Sequence, residues 1–97
     1  MTNAEFSALF REALESDQAA FLAAHPDAAD ICTAAHRSVR EIRAAAGMTQ
    51  AELAAHFAMP KRTIENWEAE GPAARSCAPY IRLMMQEALG LVRIERD

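Results

Sequence analysis

Apolar residues return every three or four positions along most of this chain, which commits it to short amphipathic helices. Phe6, Leu9, Phe10, Ala13 and Leu14 form the first such stripe, with Glu5, Arg11, Glu12 and Glu15 between them. Phe21 with Leu22, Val39 with Ile42, Leu53 with Ala54 and Phe57, and Ile64 with Trp67 continue the pattern. Tyr80, Leu83, Met84, Ala88 and Leu91 close it. Three glycines and four prolines in 97 residues leave little turn chemistry for a multi-stranded sheet, while the many alanines are strong helix formers. The expected fold class is all-α, a compact helical bundle of about five to seven short helices.

Punctuation residues place the elements. Asn3 is a candidate N-cap for a helix over 3–15, and Ser16-Asp17 re-caps a short second helix over 18–24. His25-Pro26 ends that helix, because the residue before proline avoids helical geometry. Asp27 is positioned to cap a third helix running to about residue 37, and Ser38 restarts the pattern. Gly47 supplies a stop, and Thr49 with Glu52 completes a T-x-x-E capping box for a helix over 50–57. Ala58-Met59 turns the chain, Pro60 suits the first position of the next helix, and Gly71-Pro72 ends it. Residues 71–78 read as a loop, and Pro79 opens a last helix to residue 89 or 91. The tail VRIERD reads as a short strand or a frayed end. Two segments follow: an acidic helical extension over 1–37 and a second unit over 38–97 that ends in a packing or dimerisation helix.

Charge divides the chain in the same place. Residues 1–36 hold six acids against Arg11, a net −5, although the whole chain is only −4. Residues 37–62 hold five cations against Glu41 and Glu52, a net +3. Such asymmetry is compatible with a nucleic-acid partner. Cys32 and Cys77 form neither a disulfide framework nor a zinc pattern, and Cys32 with His36 gives two ligands, too few for a site. His25, His56 and His36 stand apart from any nucleophile, so no enzyme activity, metal or cofactor is expected. The N-terminus MTNAEFSALFREALESD lacks the basic and apolar regions of a signal peptide, and no apolar run is long enough to span a membrane, so a cytoplasmic location is expected.

The stretch SVREIRAAAGMTQAELAAHFAMPKRTIENWEAEG, residues 38–71, carries the functional information. It pairs a short capped helix with a second short helix, joined by a brief turn, and the second presents Lys61 and Arg62 at its start. Small residues are needed where such helices cross, and Ala54 is suitably placed. The first-turn amides and dipole of the second helix favour anions, a geometry that fits a helix N-terminus entering the major groove. The run MTQAELAxxFxxPKRTIENWExxG resembles the helix-turn-helix of Cro and phage-repressor (XRE-type) regulators, and downstream PYIRLMM is similar to a small bacterial subgroup. The resemblance covers about residues 38–92. Ala58 stands where the family has a turn glycine, and AEGPAARSC, which contains Arg75, is longer than the family's corresponding piece.

The resemblance implies a repressor-like fold and a sequence-specific DNA-binding transcriptional regulator, a repressor acting as a homodimer on a palindromic operator in double-stranded DNA. It implies DNA-binding roles for Gln50, which touches the backbone and braces the recognition helix, and for Lys61, Arg62, Thr63 and Asn66. Trp67 is expected in the core, and Glu65 in solvent or as a salt-bridge partner. The last helix, through Tyr80, Leu83, Met84 and Leu91, is the expected dimer interface. The alternative is an antitoxin or protein-interaction adaptor, its acidic segment 1–36 binding a basic toxin or other basic partner. A third possibility is that this segment mimics DNA or covers the Lys61/Arg62 face.

Overall fold

The computed structural model describes residues 1–71 and 76–97. They form seven helices and, among the described residues, no strand. In order these are α1 (Asn3–Glu15), α2 (Gln18–Ala24), α3 (Ala29–His36), α4 (Val39–Ala46), α5 (Gln50–His56), α6 (Lys61–Glu68) and α7 (Pro79–Ala88). The expected all-α class holds. No described helix is long and apolar enough to cross a membrane.

Capping chemistry sets most of the boundaries. Thr2, not Asn3, caps α1: its hydroxyl accepts from Glu5 N–H, and Glu5 accepts from Thr2 N–H, both at 3.1 Å. Ser38 with Glu41 and Thr49 with Glu52 repeat this reciprocal box at α4 and α5. Asp17 caps α2 through Ala20 N–H at 2.9 Å, as the sequence predicts. Asp27 does not cap α3. Its N-cap is Ala28, with no side-chain bond, since the turn after Pro26 carries Asp27 one position too early. Pro60 is likewise the N-cap of α6 rather than its first residue. Gly47 ends α4 at φ 68°, the left-handed conformation glycine tolerates.

Two apolar clusters fill the interior. The first joins Phe6, Phe10 and Ala13 of α1 to Phe21 of α2 and to Ile31, Cys32, Ala34 and Ala35 of α3. The second joins Val39 and Ile42 of α4 to Leu53 and Ala54 of α5 and Ile64 of α6, with Phe57 and Trp67 packed against it. Helix α7 belongs to both: Leu83 enters the first cluster and Met85 the second. Polar bonds fix α7 to the end of α3. The Arg82 guanidinium donates to Ala35 O at 3.0 Å and Arg37 O at 2.9 Å, covering carbonyls that the helix leaves without partners. The fully buried Gln86 donates through Nε2 to Ala34 O at 3.0 Å.

The burial phase of α7 departs from the apolar stripe. Leu83, Met85 and Gln86 are buried, whereas Tyr80 is 60% and Met84 50% exposed. A helix wedged between two clusters buries two directions at once, and one of them here takes a glutamine, which hydropathy patterning passes over. The tail is neither strand nor frayed. Val92 and Ile94 pack on the first cluster, Arg93 N–H donates to Asp30 at 2.8 Å, and Arg96 pairs with Glu87 while lying 4.4 Å over the Phe6 ring. The expected 71–78 loop is described only at Gly71 and from Ser76 onward; residues 72–75, with Arg75, lie outside the described residues.

Leu83→Ala should therefore cost about 2–5 kcal/mol of unfolding free energy. Met84→Ala, one residue on, should change it by no more than about 0.5 kcal/mol. Urea titration of both variants checks the phase of α7, and equal losses would refute it.

Candidate functional site

Helices α5 and α6 pack on one another, and Ala54 of α5, 3% exposed, lies in the same cluster as Ile64 of α6. The chain between them turns through a left-handed residue. Ala58 has φ 53°, and Met59 N–H donates back to Ala54 O at 2.8 Å, closing the last carbonyls of α5. Alanine therefore occupies the conformation that glycine adopts without steric cost. Beyond the turn, Pro60 starts α6 without any side-chain cap and with no acid in its first turn. The positive end of this helix is left for Lys61 and Arg62, which are both exposed and make no ion pair with the described residues.

The far end of α6 is anchored by a carboxylate that the sequence does not single out. Glu68 has a side chain only 2% exposed. Arg43 of α4 grips it with two parallel bonds of 2.8 Å, from Nε to Oε2 and from Nη2 to Oε1. Arg40 Nε adds a contact at 3.5 Å, and Gln50 Nε2 donates from the start of α5 at 3.3 Å. One carboxylate thus ties three helices. Hydrogen bonding from Arg43 is the largest influence on Glu68, holding its pKa below the usual carboxylate value, and Glu68 in turn raises the pKa of Arg43. The signal for this pair lay in register: Arg43 follows Val39 by four residues and Glu68 follows Ile64 by four, so opposite charges occupy inward positions on two helices.

The remaining expected site residues fall as follows. Gln50 is half-buried and bridges to Glu68; Thr63 and Asn66 are half-buried beside the cations, and Glu65 is exposed. Trp67 is half-buried against the second cluster. Of the four residues expected at a dimer interface, Leu83 is wholly interior and Leu91 is half-buried against the second cluster, so only Tyr80 and Met84 face solvent, joined by Ile81. The N-terminal helices do not cover the Lys61/Arg62 face: α1 packs on α2 and α3, and both cations remain exposed. Cys32 is buried, and no group of three His, Cys, Asp or Glu side chains able to hold a metal ion occurs among the described residues. Chemically, the arrangement is a rigidly backed helix start that can receive an anion.

Comparison with family models, with curated proteins and with solved structures finds no match for this chain.

Two outcomes are expected. Ala58→Gly should stabilise the protein by up to about 1 kcal/mol, since relief of the left-handed strain outweighs the added freedom of the unfolded chain; a loss of stability in urea titration would contradict this. Glu68→Gln should cost about 1–3 kcal/mol by leaving Arg43 with a weaker partner. Because Glu68 titrates lower when folded, its contribution is complete above the unfolded value near 4.5 and is lost as pH falls through the folded one. Thermal unfolding of wild type should therefore weaken across that acid range more steeply than unfolding of Glu68→Gln.

Proposed function

We propose that this protein is a sequence-specific DNA-binding transcriptional regulator, a repressor, whose α5–turn–α6 unit acts as a helix-turn-helix. The observation that supports this most directly is the exposed, uncapped first turn of α6 carrying Lys61 and Arg62. In this reading α6 enters the major groove start first, Arg62 makes a bidentate contact to guanine, and Lys61 meets phosphate. Gln50 keeps one amide hydrogen on Glu68 and has a second for a phosphate oxygen. Thr63 and Asn66 follow along the helix as base-edge contacts.

A single short helix reads few base pairs, and each bidentate contact discriminates by only about 1–3 kcal/mol. Useful selectivity asks for more, which two copies about 34 Å apart on a palindrome supply. The exposed α7 residues Tyr80, Ile81 and Met84 are the surface proposed for the second copy.

A second reading, an antitoxin or adaptor, draws support from α1 and α2, where Leu14 and Leu22 are each 36% exposed in the acidic segment. The net −5 of this segment, carried on exposed acids, is complementary in charge to a basic protein partner. A basic protein co-purifying with the chain would favour it, and recovery of the chain alone with DNA binding intact would favour the regulator.

Selection from a random DNA pool should enrich a common palindromic site. Arg62→Ala should weaken binding to that site by about tenfold or more in band-shift titration, with log K falling linearly against log salt for the wild type. Unchanged affinity would remove Arg62 from the role, and a pool without a consensus would end the proposal.

A further inference from the structure

The carboxylate that ties α4, α5 and α6 together is offered more donors than it can hold closely. Glu68 Oε1 meets Arg43 Nη2 at 2.8 Å, Gln50 Nε2 at 3.3 Å and Arg40 Nε at 3.5 Å. A carboxylate oxygen has two lone pairs, so a third donor on it is held loosely. Arg40 is that third donor. Its other contact, from Nη2 to the Glu68 backbone carbonyl, is also long at 3.4 Å. A guanidinium carries five N–H groups, and these weak contacts leave most of them free. The Arg40 side chain is 64% exposed, against 23% for Arg43. Two cations thus share one buried carboxylate, and the exposed one keeps its charge available to an incoming anion.

This cation stands beside a proposed DNA contact. Arg40 Nε and Gln50 Nε2 approach the same oxygen, so the two donors are close enough for the free oxygens of one phosphodiester to meet both. Depth agrees with this placement. Glu68 follows Arg62 by about 9 Å of helix rise, and the major groove is about 8.5 Å deep. With α6 entering start first and Arg62 at the base edges, the other end of the helix stands level with the phosphates at the groove rim. We infer that Arg40 and Gln50 form a binding site for a DNA backbone phosphate, Arg40 leaving its loose contacts with Glu68 for the phosphate oxygens. The inference rests on the DNA reading and extends its surface to α4. It gives Arg40 a part in affinity and none in sequence selection.

Band-shift titration over a range of salt, on the pool-selected duplex and on a mixed-sequence duplex of equal length, tests the site. Arg40→Gln should weaken binding to both duplexes by the same factor and make the slope of log K against log salt shallower by about 1. Arg40→Lys, which retains the charge, should retain the wild-type slope. The urea midpoint of Arg40→Gln should match that of wild type, because Arg43 keeps its grip on Glu68. An unchanged slope in Arg40→Gln, a loss confined to the selected duplex, or a variant that fails to fold would overturn the inference and leave the regulator reading standing. A wild type that binds neither duplex would end both.

Discussion

The buried carboxylate of Glu68 is the interaction on which the arrangement of α4, α5 and α6 depends. The hydrophobic driving force is non-directional and by itself singles out no one register between short helices. A bidentate arginine contact is not so permissive: two bonds of 2.8 Å fix Arg43 against Glu68 in plane and distance. Gln50 then brings the start of α5 to the same oxygen. The result is that the end of α6 is held while its beginning, with Lys61 and Arg62, is presented to solvent. A surface that must meet a rigid partner benefits from this division, since orientation is settled before contact is made.

Much of this was legible in the sequence. Ser38, Thr49 and Asp17 caps, the Gly47 stop and the turn at Ala58 follow from local rules, because a side chain bonding to nearby backbone, or a single left-handed residue after a helix, needs no knowledge of the remaining fold. Asn3 and Asp27 were one position away from the actual caps, since a polar residue beside a helix start satisfies the rule almost as well as the right one. The face of α7 was not legible. Its partners lie on α3 and in the second cluster, and nothing near Gln86 in sequence signals that its amide will find Ala34 O. The Arg43–Glu68 pair belongs to the same class, a contact between residues 25 apart that only the packed helices bring together.

The acidic N-terminal segment also takes a clearer form. Its helices are not a loose appendage: Phe6, Phe10 and Phe21 bury their rings with Leu83 and Val92. Arg96 lies over Phe6 and joins Glu87, so the last residues of the tail close on the first helix. Negative charge at the front of the chain is thus carried on a packed surface, with its acids turned outward around a shared interior.

The position of α7 has a consequence for how the molecule comes apart. Because consecutive inward residues of one helix serve both halves of the interior, neither half can open while leaving the other its full complement of contacts. Loss of that helix from the fold exposes Leu83 and Met85 together. Unfolding would accordingly be a single cooperative event, with the slowest-exchanging backbone amides of the two halves sharing one opening free energy.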